Sequence, residues 1–361
     1  MVRAIFTCIV FAILVTSCGK KSQRPQNERF MTTSDIEYIN KFPKEIHLSS
    51  PERINTELIG IRGFKILDSV MVFSVQGDNG LLAFYRISDM KPLGRFLNIG
   101  NSKEEVLFGP TLSTSVNFYR NADSLYVDVF DGQKGRMLTF NVDECLQKKQ
   151  SILKAENKSF SNDVFNIARL PDGKYFVKEL DDKETRQTRA IVDLKSGSTT
   201  CTPIMKKLNE ASIKDGEDFN ILSTITGIDK EGRIIEMPIG LNYLNIYKSD
   251  GSFAKPLCIG DKLDDIDDIT STNKAKRKYT FSDIRIFDTF FAVMYINEAE
   301  GIYQTKSIKV PSILLFTLEG KPIAEIKLKR QATSFDIDMK SYILYTYDSK
   351  TQEISKYSMS N

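Results

Sequence analysis

The chain has no tryptophan and a single histidine, His47, among 361 residues. One histidine excludes multi-histidine metal sites and leaves any Ser-His-Asp hydrolase scheme dependent on that residue alone. Cysteine is sparse. Cys8 and Cys18 lie near the start, and Cys145, Cys201 and Cys258 remain, an odd number that leaves at least one unpaired. No CxxC and no Cys/His spacing signals zinc, and small apolar filling accounts for these thiols better than redox chemistry. An excess of one charge is also missing: 50 Lys and Arg stand against 47 Asp and Glu, a net +3. That balance gives no field for nucleic acid. Glycine (20) and proline (11) are ordinary in number, which excludes collagen-like and low-complexity character. Hydrophobic residues make up 41%, enough for a core and too many for a disordered chain. Beyond the N-terminus no apolar run approaches the roughly 20 residues of a membrane-spanning helix.

What is present begins with an address. Arg3 supplies a positive start, and Ala4 to Val15 is almost wholly apolar, so residues 1–17 read as a signal peptide. Val15-Thr16-Ser17-Cys18 resembles a bacterial lipobox. The resemblance implies cleavage before Cys18 and lipid attachment on its sulfur, since a thiolate is the nucleophile that takes the lipid. Two or three acyl chains hold a protein on a membrane without spanning it. Residues 18–40 open on Gly19-Lys20-Lys21-Ser22-Gln23-Arg24-Pro25 and read as a polar tether, with the folded body over 41–361. Gly19 resembles outer-membrane sorting in known lipoproteins. Lys20-Lys21 stands where surface-exported ones often carry an acidic cluster, which points to the periplasmic face.

The body is strand after strand. Val70 to Val75 is β-branched and apolar and stops at Gly77-Asp78-Asn79-Gly80, a hairpin signal. Asp131-Gly132, Pro171-Asp172-Gly173-Lys174, Lys230-Glu231-Gly232, Asp250-Gly251 and Glu319-Gly320 punctuate further hairpins. Only residues 143–150 and 206–212 suggest helices, both short. Many short strands without long helices point to a sandwich, barrel or propeller.

Internal repetition decides among these. Tyr85 to Gly100, Tyr247 to Gly260 and Phe316 to Leu328 each read as a strand, a tight turn and a second strand. Ile167 to Val177 and Thr226 to Ile235 repeat a different unit, an inner strand followed by a turn. Inner strands placed near residues 62, 118, 165, 222, 282 and 334 divide the chain into units suited to four-stranded blades. The last unit supplies three strands, Ser334–Ile337, Tyr342–Tyr347 and Ile354–Tyr357. The sequence therefore predicts an all-β, six-bladed β-propeller whose ring is closed by an N-terminal strand at Lys44–Leu48, hiding two sheet edges.

These units, the lipobox, the Lys44–Leu48 strand and the Ile99-Gly100-Asn101-Ser102-Lys103-Glu104-Glu105 segment together resemble the TolB-like, NHL-like six-bladed propeller lipoproteins of Bacteroidetes. In many relatives that last segment is glycine-rich, and here the glycines are largely lost. The resemblance implies the fold and an envelope location, and it carries no agreed catalytic residues.

Arginines recur near the inner strands: Arg62, Arg120, Arg169 and Arg285. Together they would make a positive channel mouth for a carboxylate, phosphate or acidic glycan, or else serve as inter-blade salt bridges. Asp261-Lys262-Leu263-Asp264-Asp265-Ile266-Asp267-Asp268 clusters oxygens as calcium requires, but lacks EF-hand spacing and its glycine, and Lys274 to Lys278 follows as a neutralising run. Asp283 and Asp288 are carboxylates near an inner strand, with no spacing that selects them as an acid/base pair. His47 falls on the presumed closing strand and reads as structural or exposed. No catalytic set and no cofactor signature emerge. The leading expectation is a lipid-anchored envelope module that presents loops to a protein, peptide or glycan. The alternative is an envelope enzyme, a lyase or hydrolase using carboxylates or a metal in the channel.

Overall fold

The computed structural model describes residues 31–359 apart from 162, 182–185, 215–216 and 307–308. The signal-peptide and lipobox readings, Cys18 included, lie outside the described residues. Six antiparallel sheets follow one another along the chain. Blade 1 comprises Ile61–Leu67, Val70–Val75, Asn79–Arg86 and Lys91–Asn98. Blade 2 comprises Val116–Asn121, Ser124–Asp131, Arg136–Asn141 and Leu153–Ser159. Blade 3 comprises Val164–Arg169, Tyr175–Asp181, Arg186–Asp193 and Ser198–Thr200. Blade 4 comprises Thr224–Ile228, Arg233–Pro238, Tyr243–Lys248 and Ala254–Ile259. Blade 5 comprises Lys278–Ile286, Phe290–Ala299, Ser312–Thr317 and Pro322–Lys327. Blade 6 has Ser334–Asp338, Ile343–Asp348 and Glu353–Ser358, completed by Glu52–Ile54 from the N-terminal segment.

The arrangement of the apolar residues makes this a ring and not a pair of stacked sheets. Each of six hydrophobic clusters joins one blade to the next. Val72 and Phe84 of blade 1 meet Val127 and Phe140 of blade 2. Phe130 meets Tyr175 and Val177 of blade 3. Phe176 meets Tyr243 and Tyr247 of blade 4. Ile235 and Leu244 meet Phe281 and Phe291 of blade 5. Met294 and Ile313 meet Phe335 and Leu344 of blade 6, and Tyr345 and Tyr347 return to Phe64 and Phe73 of blade 1. A middle strand in such a ring is covered on both faces. That is why Val70–Val75 reads as one apolar run, with every residue after the first buried. The turns fall where the sequence places them, and Gly173 and Gly232 take positive φ (86° and 76°) in the turns that lead out of two inner strands.

The expected closing strand is one blade out. Glu45–His47, inside Lys44–Leu48, pairs in parallel with Pro322–Lys327 as a fifth strand on blade 5. Glu52–Ile54 closes the ring instead, antiparallel to Glu353–Ser358, with Arg53 opposite Ser355. The physical reason is connectivity. A closing strand must run antiparallel to its neighbour and lead directly into the next inner strand, here Ile61–Leu67. The segment just before residue 61 satisfies this. Glu37–Ile39 adds a parallel fifth strand to blade 4, so the N-terminal segment straps the outer edges of blades 4, 5 and 6 in turn. Of the tether expected over 18–40, Met31, Thr32, Thr33 and Ile39 are buried: Met31 is 1% exposed within the blade 3–4 cluster, and its N–H donates to Tyr243 Oη (3.2 Å).

The helices are short. α1 (Val142–Lys148) and α2 (Pro203–Asn209) occupy the expected regions, α2 starting a few residues earlier. α3 (Ile266–Thr270) and α4 (Glu300–Thr305) are additional. None is long and apolar enough to cross a membrane among the described residues.

Candidate functional site

Six inner strands surround one central cavity of about 1160 Å³, and residues from all six line it. Arg62, Arg120, Arg169 and Arg285, picked from sequence alone, all lie on its wall. The structure brings them together, but most are committed elsewhere. Arg285 is held by Asp283 on its own strand, by Asp336 of blade 6 (3.1 Å) and by the Phe64 carbonyl of blade 1 (2.8 Å). Arg169 Nη1 donates to Asp128 (3.1 Å) and to Tyr175 Oη (2.9 Å), and its guanidinium lies 3.9 Å from the centre of the Tyr119 ring. Arg120 pairs with Asp68 across the blade 1–2 seam, half exposed. Among the described residues Arg62 donates only to the Gly109 carbonyl (3.3 Å).

These arginines therefore divide by role. Arg285 and Arg169 are staples between blades, and the carboxylates that hold them also tie backbone to backbone. Asp336 accepts from the Ile66 N–H (2.8 Å), and Asp283 accepts from Ser334 Oγ (2.6 Å) and the Phe335 N–H (3.2 Å). Asn117 accepts from the Arg169 N–H (2.8 Å), the same device two blades on. Burial pushes the Asp336 carboxyl up, opposed by the Arg285 guanidinium beside it. Asp283 is thus a structural partner of Arg285, and Asp288 lines the cavity separately at the following turn.

Sequence reading missed the cation that matters most here, Lys65. It sits mid-strand on blade 1, half-buried, lines the cavity, and holds its ammonium 5.7 Å from the centre of the Phe118 ring of blade 2. Burial lowers its pKa and repulsion from Arg285 adds to the effect, while Asp336 and Asp283 oppose both. The only signal in the sequence is a charge between two apolar residues, Phe64 and Ile66, on a strand whose two faces meet different neighbouring blades.

The remaining sequence candidates lie off the channel. His47 Nε2 is 2.9 Å from Glu45 on the exposed fifth strand of blade 5. In the Asp261–Asp268 run, Asp265 caps α3, Asp264 pairs with Lys278 (3.0 Å) and Asp267 lies 3.5 Å from Lys214. No group of three His, Cys, Asp or Glu that could hold a metal occurs among the described residues. Cys145 and Cys258 are buried, and Cys201 is partly so, all as free thiols.

Fold and channel together define a six-bladed β-propeller with a polar central cavity. No family model matches the chain, and no curated protein matches it. Among solved structures it is similar to a protein described as exported from Bacteroides fragilis, at 10% identity and TM-score 0.52, covering 89% of this chain and 99% of that one. It is also similar to a member of the DUF4221 family from Bacteroides vulgatus, at 13% identity and TM-score 0.51, covering 86% and 94%. A third, the extracellular domain of a one-component system from B. thetaiotaomicron, aligns at 9% identity and TM-score 0.44 over 83% of this chain, which spans about a third (34%) of that longer one. The first two likenesses are to the fold alone.

Proposed function

We propose that this chain is a lipid-anchored binding module of the cell envelope, TolB-like in organisation, that offers its channel mouth to an anionic partner, a glycan or an acidic peptide. The lipobox at Cys18 supports anchoring, and Gly19-Lys20-Lys21 supports the periplasmic face of the outer membrane. The exported Bacteroides protein of like fold is in keeping with that location. The observation that carries the reading is the cavity: Arg62, Lys65, Arg120, Arg169 and Arg285 converge on one walled space, and among the described residues Arg62 and Lys65 have no bonded carboxylate. Preorganised cations in a sheltered cleft attract anions more strongly than the same charges on an open surface.

The test has two arms. Cys18→Ala should fold and leave the membrane fraction; the variant staying with membranes would refute the anchor. The full chain should bind polygalacturonate or poly-glutamate with an affinity that falls as salt rises, and Arg62→Glu should weaken it several-fold. Arg62 is chosen over Arg285 because reversing Arg285 would leave Asp283 and Asp336 unpaired in the core. No binding to either polyanion, or binding that salt does not affect, would sink the channel reading.

A further inference from the structure

Antiparallel alternation inside each blade sorts the loops onto two rims. Each inner strand leaves one rim, the second strand returns to it, the third leaves it again and the outer strand comes back. The links that precede inner strands and the turns between second and third strands therefore share one rim, the entry rim. Exposed apolar side chains gather there. Ile59 (89% exposed) precedes the inner strand of blade 1, Phe108 (68%) lies in the link from blade 1 to blade 2, and Ile302 (40%) and Val310 (38%) lie between the second and third strands of blade 5. Arg62 Nη1, bonded to the Gly109 carbonyl (3.3 Å), holds the Phe108 loop beside the start of the strand that Ile59 leads into. Single apolar residues on a surface need no explanation, but several on one rim mark a place of contact.

Cations stand on the same rim at blades 5 and 6. Lys274 and Lys276 precede the inner strand of blade 5, Lys306 and Lys309 lie between its second and third strands, and Lys329 and Arg330 precede the inner strand of blade 6; all six are exposed. Close contacts join these links into one shelf. Gly301 of α4 lies against Ala275 with no room for a side chain, Tyr303 Oη donates to the Ala332 carbonyl (3.3 Å), and Gln331 Nε2 donates to the Lys309 carbonyl (2.7 Å). The described residues of 299–311 and 328–333 include no exposed carboxylate. The opposite rim has the reverse character: the turns out of five inner strands carry exposed Asp68, Asp123, Asp172, Glu231 and Asp288. The described chain also begins at the entry rim. Met31 bonds Tyr243, the first residue of a third strand, and the Thr33 carbonyl accepts from Lys207 Nζ (3.1 Å) in the link before the blade 4 inner strand. Met31 is thirteen residues beyond Cys18, a reach of at most about 45 Å.

Resting on the anchoring reading above and not on the channel reading, we propose that the entry rim at blades 5, 6 and 1 docks on an anionic phospholipid surface. Phe108, Ile59 and Ile302 enter the headgroup region, and the lysines face lipid phosphates. Exposed apolar side chains flanked by cations suit such a surface, and a short tether from Cys18 keeps this rim close to it. A second protein could cover the apolar side chains, but the tether and the uncompensated cations favour lipid. The acidic Asp261–Asp268 run lies on the blade 4 side of the rim. The ring therefore tips onto blades 5, 6 and 1 and does not close its channel against the lipid.

The experiment is co-sedimentation of the lipid-free Cys18→Ala chain with vesicles of phosphatidylglycerol and phosphatidylcholine, or of phosphatidylcholine alone. The chain should bind the phosphatidylglycerol vesicles at about 20 mM salt, lose at least about tenfold in affinity at about 150 mM, and bind phosphatidylcholine far more weakly. That salt dependence keeps the rim too weak to hold Cys18→Ala on membranes by itself. Adding Lys306→Glu with Lys309→Glu should weaken vesicle binding by roughly tenfold or more, and adding Phe108→Asp by several-fold. Tyr342→Asp, on the opposite rim, should leave it unchanged. All these positions are exposed, and unfolding curves separate lost binding from lost fold. No binding to phosphatidylglycerol vesicles, binding that neither entry-rim variant weakens, or an equal loss in Tyr342→Asp would overturn the proposal. Self-association of the chain that Phe108→Asp abolishes, without vesicle binding, would overturn it in favour of a second copy on this rim. None of these outcomes touches the anchor, which fails only if Cys18→Ala stays with cell membranes.

Discussion

At the scale of the residue, the charges of this propeller work mostly in pairs set between blades. The clearest case lies away from the channel. Arg189 and Glu236 are each 1% exposed and bonded at 2.8 Å across the blade 3–4 seam, and Tyr247 and Thr224 also donate to Glu236. Beside them Lys178, fully buried, donates to the Thr224 carbonyl (2.6 Å) and hydroxyl (2.7 Å). Burial lowers its pKa to about 7, Arg189 adds to this, and Glu236 opposes it. A lysine whose folded pKa lies below its unfolded value binds fewer protons when folded, so this group raises stability as pH climbs above 7. Lys178→Met should remove that slope, so the stability difference between variant and wild type should change by at most about 1.4 kcal/mol per pH unit between pH 7 and 9. Urea unfolding at a series of pH values checks it; parallel profiles for the two proteins would contradict it. Above that window Cys258, raised by burial to about 11, acts in the opposite direction. The positions of the arginines near inner strands could be read from the sequence, because strand and turn signals locate those strands. Their partners could not. Asp336 lies 51 residues from Arg285 and Asp128 lies 41 from Arg169, and only the packing of one blade on the next brings such residues together.

At the scale of the element, local chemistry was the readable part. Hairpins announced by Gly77-Asp78-Asn79-Gly80 or Asp250-Gly251 form where those residues stand. The identity of the closing strand was not readable, because Glu45–His47 and Glu52–Ile54 are both short and mixed in polarity and both end as edge strands. Which edge each joins depends on the path of the chain around the rim. The two strands make a separable prediction. Proline at Arg53 removes a donor and a side chain from the seam that joins the two ends of the chain. Proline at His47 affects only an added fifth strand. Arg53→Pro should lower stability by roughly 1–3 kcal/mol and His47→Pro by clearly less, read from urea midpoints. Equal losses, or the reverse order, would contradict the assignment of closure.

At the scale of the whole molecule, the six-fold count was legible because the repeats recur at blade length, and the ring follows from covering both faces of every middle strand. The character of the channel was only half legible. That arginines would line it follows from strand order; that most of them would be neutralised, leaving Arg62 and Lys65 without a bonded carboxylate among the described residues, is a property of the assembled ring. The central claim is that binding takes place inside this ring and not on its outer surface. Hydrogen exchange of the full chain, with and without saturating polygalacturonate, tests it most directly. Added protection should gather in the inner strands, with segments 61–67, 116–121, 224–228 and 278–286 foremost. Protection confined to outer strands such as 91–98 and 322–327, or no change anywhere in the chain, would contradict it.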